Sequence, residues 1–128
     1  MVAKKILSKH EILAKGLTSR KTITVKIPGL GNLSLIEHTA KDYDHLQGIL
    51  IEASTEKDLN KRIQLFSDYK KYKFAVSVVD ENNKIMFDDD ADLTEFYENV
   101  QKDIIEAILE QITSLNEEDK SIEDTKKN

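Results

Sequence analysis

Asp88, Asp89, Asp90 and Asp92 form the densest group of potential ligands in the chain, and hard oxygen donors at that density could hold a divalent cation. A calcium-binding helix–loop–helix loop starting at Asp80 would need oxygen ligands at its third and fifth positions, glycine at the sixth and glutamate at the twelfth. Asn82 fits the first of these, but Lys84, Ile85 and Ala91 occupy the others. The cluster reads better as the opening of a helix, where each carboxylate near the positive N-terminus stabilises by about 0.3–1 kcal/mol. His10, His38 and His45 are the only imidazoles. His38 and His45 flank a predicted helix start without the spacing of metal ligands, so surface or capping roles are expected. No glycine-rich phosphate loop joins a strand to a helix, because Pro28–Asn32 leads into a second strand. No serine sits in a nucleophile elbow, and no carboxylate pair has a sequence reason to be buried and shifted. The absence of cysteine excludes disulfides, thiolate metal sites and Cys/His catalysis. These residues predict a non-enzymatic protein that carries no metal and no cofactor.

The net charge of −5 hides an asymmetry. Residues 1–79 hold 14 Lys/Arg against 8 Asp/Glu, which is +6, whereas residues 80–128 hold 5 against 16, which is −11. Such a split predicts attraction between the halves, within one chain or head to tail between chains. The basic half has scattered lysines and no aromatic or glycine-rich platform, so nucleic-acid binding is not expected. No apolar stretch approaches ~18 residues, so no membrane span is expected. The opening MVAKKILSKHEILAK is not expected to act as a secretory signal, because polar residues interrupt Ile6 and Leu7 at once. One domain over residues 1–115 and a disordered acidic tail over 116–128 are predicted.

The elements that must position these groups follow from spacing. Ser8 and Glu11 have the separation of a capping box, predicting a short helix from Lys9 to about Lys15, with Gly16 as a left-handed stop and Ile12 and Leu13 as the buried pair. Lys21–Ile27 alternates with Ile23, Val25 and Ile27 on one face, a half-buried strand. Pro28–Asn32 breaks it and Leu33–Ile36 resumes it, giving a hairpin whose loop exceeds the two-residue type. Thr39 with Asp42 repeats the capping logic and opens a helix of about four turns. Gly48 inside that helix costs about 1 kcal/mol relative to alanine, which predicts a close backbone contact there. A second helix is expected from about Glu56 to Val79, with Leu59, Ile63, Phe66, Tyr69 or Tyr72, Val76 and Val79 as its apolar positions. Asp80–Lys84 reads as a turn with Asn83 at positive φ, and Ile85–Phe87 as a short strand. Leu93, Phe96, Tyr97, Val100, Ile104, Ile108, Ile112 and Leu115 then continue in helical steps, with a break near Asn99. The fold class is therefore α+β: an N-terminal β-hairpin, joined by Ile85–Phe87, packed on a bundle of three principal helices.

Three segments together carry a resemblance: SKHEIL (residues 8–13), TVKIPGLGNLSLIEHT (24–39) and SVVDENNKIMFDDDADLTEF (77–96). The chain resembles the tail assembly chaperone family of long-tailed bacteriophages and prophages over about residues 8–115. The third segment carries most of the likeness: a hydrophobic helix end, Val-Asp-Glu-Asn-Asn-Lys, apolar residues, Phe, acids and a helix-starting Leu. Leu30, and Leu35 or Ile36, stand where many members have an aromatic residue and an arginine. The resemblance implies a non-enzymatic viral protein that coats the long helical tape measure protein and keeps it soluble for tail-tube polymerisation. It implies the tape measure protein as partner, with the tail tube protein as a second, in the host cytoplasm and outside the mature virion. A longer form made by a −1 frameshift is also common in the family, and Lys126-Lys127-Asn128 is compatible with a slippery run. The expected partner surface is the acidic edge Asp88, Asp89, Asp90 and Asp92 with the apolar stripe Phe96, Tyr97, Val100 and Ile104, with Phe96 or Tyr97 exposed. The free protein is expected as a monomer or weak homo-oligomer, with neither nucleic acid nor membrane as partner. Two other functions fit the same residues: a structural tail or head-completion protein, and an acidic regulatory decoy that binds a basic protein.

Overall fold

The computed structural model describes residues 6–127, with side chains described through Glu117. Its elements run α1 (Lys9–Thr18), β1 (Thr22–Ile27), β2 (Gly31–Ile36), α2 (Ala40–Thr55), α3 (Leu59–Ser77), β3 (Val78–Val79), α4 (Asp90–Asn99) and α5 (Lys102–Lys127). The architecture is α+β, a small antiparallel sheet in the order β1-β2-β3 packed against helices. Among the described residues no helix is long and apolar enough to cross a membrane.

The hairpin closes as its sequence demands. Leu30 N–H donates to the Ile27 carbonyl at 3.0 Å, with Pro28 and Gly29 at the two central positions and Gly29 at φ +83°. That is a type II turn, which needs φ near −60° at its second residue and a positive φ at its third. Ile23 pairs with Leu35 and Val25 with Leu33, so the apolar side chains share one face while Thr22, Thr24 and Lys26 remain exposed.

That face meets α5. Ile27, Leu35, Phe74, Val78, Leu93, Ile105, Ile108, Ile112 and Leu115 form one buried cluster. The spacing of the four α5 members, three, four and three residues, keeps them on one side of the helix. Phe74, Phe87 and Phe96 close the cluster below α4 with ring centroids 5.1–5.6 Å apart, within the range where tilted and offset rings attract. The predicted interruption of the last helix is present. α4 ends at Asn99, Val100 is extended, and Ile104 and Ile105 restart the ladder on the Gln101 carbonyl.

Five expectations are corrected. The first helix runs through Gly16 to Thr18, where the Thr18 and Ser19 hydroxyls take up the Ala14 and Gly16 carbonyls at 3.0 and 3.3 Å. Its capping box is present, but Ile12 and Leu13 are 55% and 53% exposed because no described residue folds over them. The long middle helix starts at Leu59, where the Asp58 carboxylate caps the Asn60 and Lys61 amides, and stops at Ser77. Val78 and Val79 leave it to pair with Leu35 and Ser34, since the unpaired edge of β2 offers backbone partners and both valines become fully buried there. The third strand is consequently Val78–Val79. Ile85 makes a single bridge to Val79, across a turn with Asn83 at φ 62° as predicted. Gly48 has open space above its Cα, so the close contact expected there is absent. The disordered tail expected over 116–128 falls, beyond Glu117, outside the residues whose side chains are described.

The two glycine environments give opposite expected outcomes. Gly48→Ala should stabilise the protein by about 1 kcal/mol, since alanine is the better helix former and meets nothing. Gly29→Ala should destabilise it by about 1 kcal/mol or more, because an L side chain at φ +83° is strained. Urea-unfolding midpoints of the two variants, moving in opposite directions from that of the parent, check both.

Candidate functional site

The acidic edge is a helix opening. The Asp89 carboxylate accepts from Ala91 N–H at 2.9 Å as the N-cap of α4, and Asp90 and Asp92 lie in its first turn. That satisfies amide donors which a helix start leaves without partners. Among the described residues no group of three or more His, Asp or Glu side chains is gathered to hold a metal ion.

The apolar stripe expected to meet a partner is largely spent on the core. Phe96 lies 5.1 Å from the Phe74 ring in a stacked pair. Tyr97, Val100 and Ile104 are half-buried against the central cluster, and Lys71 sits over the Tyr97 ring at 5.8 Å. Neither aromatic side chain is exposed, because a chain with so small a core uses these rings to close it. What remains at the surface is a shallow groove of about 440 Å³ lined by Asp92, Glu95, Phe96, Asn99 and Val100. Its lining combines the apolar Phe96 and Val100 with the acidic Asp92 and Glu95. The structure therefore brings Asp92, Phe96 and Val100 together, and leaves Asp88, Asp89, Asp90, Tyr97 and Ile104 outside the groove.

A second cavity, about 650 Å³, opens between α2, α3 and α5, with His38, Tyr43, Tyr69, Lys73, Thr113 and Glu117 in its walls. The His38 Nε2 lies 2.9 Å from the Ser77 Oγ, a pairing that could serve nucleophilic catalysis if the serine reached a substrate. Ser77 has no exposed surface, so it attacks nothing. The pair works as a tie. His38 N–H donates to the Asn116 side-chain oxygen at 2.8 Å, and Lys73 Nζ donates to the Thr113 hydroxyl. The Tyr72 hydroxyl donates to Asp42 at 2.9 Å, binding α3 to the first turn of α2. Burial first, then the nearby Lys73 ammonium, pushes the His38 imidazole below its ordinary value. Burial likewise lowers Lys73, against the pull of Glu117, and raises Tyr69. His38 is thus a half-buried histidine that ties elements together, where a surface or capping role was expected. Its role is invisible in sequence because Ser77 lies 39 residues away.

A further apolar stripe at the surface lies elsewhere. Leu59, Ile63 and Phe66, on the first half of α3, are 64%, 58% and 43% exposed. Their spacing of four and then three residues lines them up along one side of the helix. The same spacing marks them as apolar positions in the sequence, but only packing reveals that they face solvent. The α5 stripe meets α3 at Phe74, and Leu59, Ile63 and Phe66 lie outside that cluster.

No family model matches this chain, and neither does any curated protein or solved structure.

The His38 tie has a pH signature. The folded pKa lies below the unfolded value of about 6.5, so the unfolded chain binds more protons as pH falls through the window between them. Stability is full above about pH 6.5 and declines as the solution is acidified through the folded pKa. His38→Gln should flatten that decline in urea-unfolding midpoints between neutral and mildly acidic pH, and the parent His38 ring should titrate below the free-histidine range by NMR.

Proposed function

We propose that this protein is a non-enzymatic tail assembly chaperone that binds the long helical tape measure protein of a phage or prophage and keeps it soluble until the tail tube polymerises around it. The observation that carries this reading is the uncovered stripe Leu59, Ile63 and Phe66. Apolar side chains recurring every turn, flanked by Lys61, Arg62 and Lys70, form a surface onto which an amphipathic helix can lay its own apolar face. The likeness of the three sequence segments to tail assembly chaperones supports the same conclusion.

Magnitudes favour many weak contacts over one strong one. Full burial of each of these side chains would contribute about 1.5–3 kcal/mol, and the ordering and association costs remove much of the total. One copy would therefore hold a helix weakly. A long helix offering repeated apolar faces would be held by many copies together, each shielding a stretch that would otherwise aggregate. The partner surface in this reading is α3, and the host cytoplasm is where the complex forms. The tail tube protein is the natural recipient of the released partner.

Co-expression tests the proposal. The very long helical protein encoded beside this one should be found in the soluble fraction when the parent chain is present and in the pellet when it is absent. Ile63→Asp with Phe66→Asp should reduce the soluble fraction to that seen without the chaperone, while far-ultraviolet circular dichroism stays at the parental signal. Equal solubility of the long protein with and without this chain would overturn the assignment.

A further inference from the structure

We propose that the C-terminal segment, residues 118–128, docks over the α3 stripe of its own chain, so that any ligand of Leu59, Ile63 and Phe66 has to displace it. On the reading of α3 as the partner surface, on which this rests, the contact controls access to that surface. The stripe continues a face of α3 that is core further along. Ile63 stands eleven residues before Phe74, and Phe66 eleven before Ser77, three helical turns in each case. Phe74 is sealed in the cluster with the α5 isoleucines, and Ser77 has no exposed surface. One side of α3 therefore meets α5 at its downstream end and carries Leu59, Ile63 and Phe66 at its upstream end.

The direction of α5 assigns the occupant. Lys73 Nζ donates to the Thr113 hydroxyl, and Glu117 shares the walls of one cavity with Tyr69 and acts on its hydroxyl electrostatically. Four residues forward on α5 thus answer four residues back on α3, so the two helices run antiparallel. Both rise about 1.5 Å per residue, and the same register continues past Glu117. Ile122, five residues on, comes level with Gln64, between Ile63 and Phe66. It stands seven residues after Leu115, two turns, on the side of the helix that carries the core residues. Residues 118–128 number eleven, and ten positions separate Tyr69 from Leu59, so the segment reaches the end of the stripe.

Charge agrees with that register. Glu123 and Asp124 come level with residues 62–63, beside Lys61 and Arg62, and Lys126 and Lys127 come level with residues 59–60, beside Asp58. Opposite signs thus meet at two places along the contact, which fixes its register. The contact is built to be reversible. Ile122 is the only aliphatic residue in the segment, and exposed ion pairs at its edges add little. A partner helix with an apolar residue at every turn offers the stripe more surface than Ile122 does, and so replaces the segment.

The chain has no cysteine, so introduced thiols report the contact without interference. Ile122→Cys is combined with Ile63→Cys in one full-length variant and with Phe66→Cys in a second; Ile63 and Phe66 lie outside the core cluster. In dilute solution with oxidised glutathione, at least one pair should close an intramolecular disulfide, which needs Cα atoms within about 7 Å. Ile122→Cys with Thr24→Cys, on the exposed face of the hairpin, should stay reduced. The closed form should bind less of the apolar dye anilinonaphthalene sulfonate than the same protein after reduction. In the chain without cysteines, Ile122→Asp should raise dye fluorescence severalfold. Adding Ile63→Asp with Phe66→Asp should return it to the parental level, with a parental circular dichroism signal throughout. The proposal is overturned if neither pair closes within one chain, if the Thr24 pair closes as fast, or if Ile122→Asp leaves dye fluorescence unchanged. These measurements use the purified chain without the long helical protein. Their failure leaves the chaperone reading standing, and failure of the co-expression test leaves this contact standing.

Discussion

The contact between the α5 isoleucines and the inner face of the β-hairpin is the constraint on which this fold depends. Ile105, Ile108, Ile112 and Leu115 come from one helix, Ile27 and Leu35 from the two strands, and Phe74 from the middle of the chain. A three-stranded sheet with a two-residue third strand has little stability of its own. Its exposed face carries threonines and lysine, so only burial of the other face against α5 holds it. α3 is in turn fixed by Phe74 and by the two valines that leave its end to join β2. The ordering is hierarchical: helix 5 covers the sheet, the sheet captures Val78 and Val79, and their departure ends α3.

Polar interactions refine this arrangement. His38, Ser77 and Asn116 tie the β2–α2 junction to α3 and α5, and Tyr72 ties α3 to the capping turn of α2. Ser77 is fully buried and the others half-buried, and all are hydrogen-bonded, so each holds register where an unpaired polar atom would carry a penalty. Among the described residues no buried side-chain nitrogen or oxygen lacks a partner. The helices also project beyond the core. One side of the first half of α3, at Leu59, Ile63 and Phe66, and the apolar side chains of α1 remain at the surface among the described residues. Function, on the reading advanced above, belongs to these uncovered stretches rather than to a cavity.

The candidate partner surface was only partly legible in the residues. The acidic cluster was readable as a helix opening, and Asp89 caps α4 as the chemistry of amide donors requires. Phe96 or Tyr97 was expected at the surface because nothing in a helical pattern distinguishes a ring that meets a partner from one that meets Phe74. The opposite misreading affected α1, where Ile12 and Leu13 were expected as a buried pair and none of the described residues lies above them. Leu59, Ile63 and Phe66 carry the same periodicity as Ile108, Ile112 and Leu115, yet one set faces water and the other is sealed.

Sequence alone determined whatever depends on neighbours along the chain: the Ser8–Glu11 capping box, the Pro28–Gly29 turn, Asn83 at positive φ, and the interruption after Asn99. Local sterics and nearby hydrogen-bond partners settle those conformations before anything packs. Tertiary structure decided which apolar stripe became core, where α3 gave way to a strand, and that His38 would meet Ser77. Each of those outcomes depends on surfaces brought together from distant parts of the chain, and a residue's own periodicity carries no record of what will arrive opposite it.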